Sequence, residues 1–331
     1  SSLVGSEMCI RDRYYTLMSN YGSYASYFID TSTPFDQQMC MFDDTRTWQQ
    51  YFLQAAITNY ENVTAIWQEA RLAGFQLSQE DQDYLDELDG QITVAAASYS
   101  YGSADEYLQM AYGPAATLTS YHAFVERQIT ASAYLQVLVD EKPYTEDDIS
   151  KYYDDNADSY AGNGIEKSDV KMVNVRHILI QPEGKNDDGT YTDEAWAEAE
   201  KKANDLLTEW QNGEHTEDSF AFMAAENSQD PGSVENGGLY EDIYPGKMVD
   251  EFDAWCFDPA RQPGDTGIVK TSYGYHIMYF SSTGEHAYWY VRAEEDYLNE
   301  LSVSVLQEVA AKFEVTESEQ NAAIVDIMQQ N

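Results

Sequence analysis

Met172-Val-Asn-Val-Arg-His177-Ile-Leu-Ile180 and Gly274-Tyr-His276-Ile-Met-Tyr-Phe280 are two short apolar runs, each carrying one histidine. Successive side chains of a strand point to opposite faces. Val173, Val175, His177 and Leu179 therefore share one face of the first run, and His276, Met278 and Phe280 share one face of the second. If the two strands are neighbours, the imidazoles meet inside a sheet. A histidine on an apolar strand face is commonly a satisfied core residue, and strand spacing alone does not separate that role from a catalytic one.

The text between these strands is punctuated like a small α+β domain. A loop over 182–192, turning at 186–189, leads into a helix over 193–210 with Ala195, Ala199, Ala203, Leu206, Leu207 and Trp210 on one face. A second, short helix holds Phe220, Met223 and Ala224. Then come an Asp230-Pro-Gly-Ser233 turn, Gly237-Gly-Leu-Tyr240, and Pro245-Gly-Lys-Met-Val-Asp-Glu-Phe252, which opens a helix over 248–257. Pro263-Gly-Asp265 turns into a strand over 266–271 that hairpins to the His276 strand.

This order of pieces resembles the parvulin family of peptidyl-prolyl cis/trans isomerases, over roughly a third of the chain. The resemblance implies a small antiparallel sheet wrapped by helices over 170–283. It also implies that His177 and His276 are a hydrogen-bonded pair that fixes tautomer and polarity rather than attacking a bond. Asp230, seven residues before Gly237, stands where the family carries a Cys or Asp. A carboxylate there is a polar partner for the histidines and disfavours thiolate chemistry, although Asp opening an Asp-Pro-Gly turn is also ordinary turn usage. By the same resemblance Leu239, Met248 and Phe252 line the proline pocket, with Thr271 and Tyr273 at its rim. Plain core packing is the competing role for Leu239 and Phe252. One branch of the family prefers phosphorylated substrates and carries an arginine cluster after the first strand. Here residues 181–190 offer one lysine among acids, which cannot cradle a phosphate dianion, so no phospho-specificity is expected. No cofactor or metal is required. The alternative is an inactive holdase with an isomerase fold.

The flanks read as helix. Trp48, Tyr51, Phe52, Ala55, Ala56, Val63, Ile66, Trp67 and Ala70 follow three-and-four spacing up to Gly74. Ser78 with Asp81, Ser103 with Glu106, Thr145 with Asp148 and Thr316 with Glu319 are capping pairs that open helices. Pro114 after Gly113 predicts another helix start, with Leu118, Tyr121, Val125 and Ile129 on one face. Helices are also expected over 289–313 and 316–328. The domain reading is thus a loosely ordered lead over 14–44, a helical domain over 45–165, the inserted α+β domain, and C-terminal helices over 287–331. By resemblance to extracytoplasmic foldases, the two helical flanks pack together as a chaperone module.

The chain has 331 residues, enough for two domains with their own cores. Its 18 basic and 59 acidic residues give a formal charge of -41, which repels nucleic acid and anionic lipid and attracts basic stretches of unfolded polypeptide. With 43% hydrophobic residues, 27 Tyr and 6 Trp, it reads as packed rather than disordered. Cys9, Cys40 and Cys256 form no metal spacing, and Cys256 within Phe252-Asp-Ala-Trp-Cys-Phe257 reads as a small buried hydrophobe. So few cysteines fit an exported bacterial protein that does not depend on disulfides. A metal hydrolase built on His177, Asp230 and His276 lacks a close ligand pair, and no nucleophile motif accompanies a histidine. His122, His215 and His286 receive no role. No run of about 18 apolar residues is present, the length a spanning helix needs. Residues 1–13 carry no apolar signal segment and read as translated adapter, so the native start and any anchor are expected upstream. Client identity and a homodimer are left open.

Overall fold

The structure, a computed structural model, describes Thr16, residues 29–30 and residues 32–313. The readings of residues 1–13 and 316–328 lie outside the described residues, as does most of the predicted lead before residue 29. The described residues divide into two compact units, one running up to Pro143 and resuming at Leu298, the other Tyr144–Tyr297.

In the first unit a small hairpin, β1 (Met39–Cys40) and β2 (Asp43–Thr47), precedes helix α1 (Trp48–Leu72). The sequence reading has no strand here. Asp43 makes the hairpin locally, accepting from Thr45 N at 3.0 Å and Arg46 Nε at 2.6 Å. Thr47 and Gln50 then close a capping box that starts α1. Ser78 caps α2 (Gln79–Ser98) and Ser103 caps α3 (Ala104–Tyr112), both as the capping pairs predict. Helix α4 (Leu118–Asp140) starts later than the Pro114 reading. Gly113 sits at φ 94° and its carbonyl accepts from Ala116 N at 3.1 Å, so Pro114 occupies a turn and Thr117 becomes the cap. Trp48, Phe52, Ala56, Tyr60 and Phe124 share one core between α1 and α4. Farther along α1, Ala65 and Ile66 pack with Ala131 and with Val309 from the C-terminal flank.

The second unit opens with α5 (Glu146–Asp155), capped by Thr145, and α6 (Ala157–Gly162). The sequence reading assigns these residues to the preceding helical domain. They pack in this unit instead, because Ile149, Tyr153 and Tyr160 bury themselves against Tyr290 and Ala293. A four-stranded antiparallel sheet follows. It consists of β3 (Lys171–Ile180), β4 (Leu239–Ile243), β5 (Thr266–Thr271) and β6 (Gly274–Ala287), in the spatial order β4-β3-β6-β5. Between β3 and β4 come α7 (Asp193–Asn212), capped by Thr192, and α8 (Glu217–Asn227), capped by Thr216. Helix α9 (Asp250–Cys256) lies between β4 and β5, starting two residues beyond Met248. Helix α10 (Tyr288–Ala310) follows β6. The architecture is α+β: an antiparallel sheet wrapped by helices, with helical segments before and after it.

The two faces of this sheet are built differently. Ile178, Ile180, Ile277 and Tyr279 pack against Ala199, Ala203 and Trp210 of α7 and Phe220 and Ala224 of α8. On the other face Val173, Val175, Met278 and Phe280 pack with Ile243, Phe252 and Cys256. His177 and His276 belong to this second face by strand alternation.

Candidate active site

The pairing of β3 with β6 sets Met278 opposite His177 and His276 opposite Leu179. The histidines are therefore diagonal neighbours on one face, and their Nδ1 atoms lie 2.9 Å apart. Both are buried, at 3% and 5% exposure, with rings nearly parallel at an interplanar angle of 17°. Phe252 of α9 stands edge-on to both, 5.4 Å from the His177 ring and 5.5 Å from that of His276. Met248, half-buried, joins the same apolar cluster.

Asp230 opens the turn after α8, where its carbonyl accepts from Ser233 N and Val234 N. The turn and the carboxylate role hold together: Asp230 Oδ2 lies 2.8 Å from His177 Nε2. Oδ2 also accepts from Ser233 Oγ at 2.5 Å and from the Tyr240 hydroxyl at 2.9 Å. The imidazole hydrogen bond from His177, with those from Ser233 and Tyr240, holds the Asp230 carboxyl well below the usual carboxylate range, against the opposing pull of burial. At the other end, Thr271 Oγ1 lies 2.7 Å from His276 Nε2 and accepts from Tyr273 N at 3.1 Å.

These partners fix a direction. A carboxylate only accepts, so His177 Nε2 donates to Asp230. In the tautomer that leaves His177 Nδ1 without a proton, this atom accepts from His276 Nδ1–H, and His276 Nε2 accepts from the Thr271 hydroxyl. The result is a single polarised line, Thr271 to His276 to His177 to Asp230. Burial, and next the neighbouring His177, push the His276 pKa down to about 4, so this ring is neutral at pH 7. Cys256 lies in the same cluster, where burial pushes its thiol up to about 12 and away from thiolate chemistry.

The backbone beneath the site is equally constrained. Gly238 O accepts from His177 N at 2.9 Å. At Gly238, φ is +75° and a Cβ would lie 2.2 Å from His177 O, so no other residue fits without moving the strand. Arg176, on the opposite face, anchors the turn by donating to the carbonyls of Asn236 and Gly237 at 3.1 and 3.0 Å and pairing with Glu217 at 2.9 Å.

Among the residues named from the sequence, His177, His276, Asp230, Thr271, Phe252 and Met248 come together. Tyr273 sits at the β5–β6 turn, 57% exposed, touching the line only through its backbone N–H. Leu239 is not brought to the histidine face. It pairs with Arg176, whereas its neighbour Tyr240 pairs with Val175 and takes the site-facing position. Paired residues of an antiparallel sheet share a face, so one residue of register exchanges the two. A bulge then follows, with Val173 opposite Ile243 and Asp242 at φ 52°, so Tyr240 and Ile243 both reach the same core. Ser233, 1% exposed, is the other partner the sequence reading misses. Its signal is the Asp-x-x-Ser spacing of a side-chain-bonded turn.

An antiparallel sheet carrying a buried, carboxylate-anchored histidine pair beside an apolar wall defines a parvulin-type domain. Residues 163–282 match the family of PPIC-type PPIase domains, and the chain carries a domain of that family. Over part of its length the chain is similar to foldases and chaperones. The foldase protein PrsA of Geobacillus sp. (strain WCH70) is 44% identical over 80 residues, covering 24% of this chain and 27% of that protein. Foldase protein PrsA 1 of Listeria innocua is 31% identical over 106 residues, covering 32% of this chain and 29% of its own length. Chaperone SurA of Pseudomonas savastanoi pv. phaseolicola is 35% identical over 107 residues, 32% of this chain and 22% of that protein. The matched stretch thus spans less than a third of each relative. The crystal structure of PrsA from Bacillus subtilis aligns over 87% of this chain and 98% of its own, at 17% identity and a TM-score of 0.36.

Proposed function

We propose that the protein is a peptidyl-prolyl cis/trans isomerase acting on unfolded polypeptides, without a covalent intermediate and without preference for phosphorylated substrates. The observation that carries this reading is the hydrogen-bonded line from Thr271 through the two histidines to Asp230, lying against Phe252 and Met248.

The chemistry follows from the barrier. Amide resonance resists rotation by about 18–20 kcal/mol. For X–Pro bonds the two planar forms differ by only about 0.5–1 kcal/mol, so a catalyst needs to lower the barrier and little else. Planar amides carry charge separation that the twisted state loses. An apolar wall formed by Phe252 and Met248 disfavours the planar form of a proline lodged there. The paired imidazoles, with His276 kept neutral by burial, hold polarity at the carbonyl side without transferring a proton. A ten-thousandfold acceleration corresponds to about 5.5 kcal/mol, within reach of such contacts.

We further assign the helical flanks to holding unfolded clients outside the cytoplasm. Similarity to foldase PrsA and chaperone SurA proteins supports this assignment, as do the net charge of -41 and the packing of Val309 against Ala65, Ile66 and Ala131. The test is isomerisation of short X–Pro peptides, unphosphorylated and phosphorylated, by wild type, His177→Ala and Asp230→Ala. The expected result is acceleration of the unphosphorylated peptide by wild type, loss of at least a hundredfold in both variants, and no gain on phosphorylation. Wild type that is inert while still suppressing aggregation of an unfolded client would make the protein a holdase.

A further inference from the structure

Asp230 Oδ2 accepts three hydrogen bonds: from His177 Nε2 at 2.8 Å, Ser233 Oγ at 2.5 Å and the Tyr240 hydroxyl at 2.9 Å. Oδ1 accepts from Gly232 N at 3.2 Å. Ser233 belongs to the same turn as Asp230, so its bond is local. Tyr240 comes from a different element, the sheet edge strand β4, and fixes the acid relative to the sheet that carries both histidines. Its ring lies 5.4 Å from that of His177, in the cluster shared with Phe252 and Met248.

A second feature independently serves the phenol. Gly232 is absent from the positive-φ glycines, so its backbone does not demand glycine. A Cβ built there would lie 2.6 Å from the Tyr240 hydroxyl oxygen. The missing side chain at 232 leaves the room that this hydroxyl fills. Burial, and next Asp230 itself, push the Tyr240 pKa up to about 12, so the group is a donor throughout the neutral range.

The turn is itself held to β3, with Gln229 N donating to Leu179 O at 2.9 Å and Leu179 N to Ser228 Oγ at 3.1 Å. What Tyr240 adds is a restraint from β4 on the rotation of the Asp230 carboxylate within that fixed turn. We propose that Tyr240 is a positioning residue of the isomerase site, its hydroxyl holding the Asp230 carboxylate in the orientation that keeps the proton of His177 on Nε2 and leaves Nδ1 to accept from His276. The assignment to isomerisation rests on the function proposed above. The orientation of the line does not. Tyr240 acts on the substrate through Asp230 and His177, so its hydroxyl affects turnover more than substrate affinity, while its ring, as part of the apolar wall, affects both.

The experiment compares wild type, Tyr240→Phe, Tyr240→Leu, Gly232→Ala and the Gly232→Ala/Tyr240→Phe double variant. Nitrogen-15 NMR of the histidine side chains reports the tautomer, and X–Pro peptide isomerisation reports kcat and KM. Wild type is expected to show His177 as the Nε2–H tautomer. Tyr240→Phe is expected to give a mixed tautomer and about a tenfold lower kcat, a change of about 1.4 kcal/mol, with KM within twofold. Tyr240→Leu adds a rise in KM of at least threefold. Gly232→Ala perturbs the tautomer in wild type but adds nothing once the hydroxyl is gone. An unchanged tautomer and kcat in Tyr240→Phe, or equal effects of Gly232→Ala in both backgrounds, would reduce Tyr240 to a packing residue and overturn the proposal. If wild type proves inert on peptides, a tautomer change in Tyr240→Phe still sustains the clamp while the isomerase reading alone falls.

Discussion

The two faces of the central sheet use alternate residues of the same strands toward opposite ends. On the α7–α8 side, Ile178, Ile180 and Ile277 meet Trp210, Phe220 and Ala224 in an apolar cluster, beside which Arg176 pairs with Glu217. On the α9 side, the same β3 and β6 place two imidazoles among Val175, Met278 and Phe252. Apolar burial contributes stability roughly in proportion to area. Replacing every member of a buried polar line by apolar groups of similar volume is often neutral or stabilising. One face therefore holds the domain together, and the other gives up some of that stability for a fixed arrangement of charge and dipoles.

The largest effect that would test this division falls on the backbone between the faces. Gly238→Ala forces a Cβ against His177 O and a left-handed φ on a non-glycine residue. Left-handed strain of about 1–2 kcal/mol and overpacking of about 1–3 kcal/mol together predict a loss of about 2–5 kcal/mol in urea unfolding. Next comes a reciprocal pair. Phe220→Ala, on the apolar face, is expected to cost about 3–5 kcal/mol while leaving kcat/KM of the folded protein within twofold. His276→Leu leaves His177 Nδ1 and the Thr271 hydroxyl without a partner, and is expected to cost a smaller amount, about 1–3 kcal/mol, while lowering kcat/KM at least a hundredfold. Matching losses of stability from both substitutions would dissolve the contrast between the faces.

A smaller effect sharpens it through pH. The folded-state pKa of His276 is depressed from 6.5 to about 4. The unfolded chain therefore binds a proton before the folded one does. Keeping this ring neutral costs nothing above pH 6.5; as pH drops from there the fold loses stability, and the loss levels off below about 4 at a total on the order of 3 kcal/mol. The difference in urea midpoint between wild type and His276→Leu should shift in favour of the leucine variant across that window. A constant difference would mean that the ring is not buried neutral. The smallest effect is on the exposed side of α7, where Lys201 pairs with Asp205 four residues on. Lys201→Ala should leave both the urea midpoint and kcat/KM unchanged within error.

Much of this was legible in the residues, because much of it is local. Ser78, Ser103 and Thr145 announce their helices through bonds three residues away. Alternation along β3 and β6 puts His177 and His276 on one face without knowledge of the partner strand. What escaped depends on contacts the local text does not contain. Leu239 and Tyr240 are both plausible wall residues, and only the register of β4 against β3 turns Tyr240 inward and Leu239 out. Pro114 is a good first helical residue, but the positive φ of Gly113 turns the chain before a helix can begin. Residues 146–162 have the same helical grammar as the segments before them. Their membership of the second unit is decided by the docking of Tyr153 and Tyr160 on Tyr290 and Ala293, more than a hundred residues away in sequence.

The measurement that bears most directly on the account is exchange NMR of an unphosphorylated X–Pro peptide with catalytic amounts of wild type and of His276→Leu, both shown to be folded at pH 7. The account predicts rapid cis/trans exchange with wild type and near-uncatalysed exchange with His276→Leu. Exchange at the uncatalysed rate with wild type, or equal acceleration by the two proteins, would contradict it.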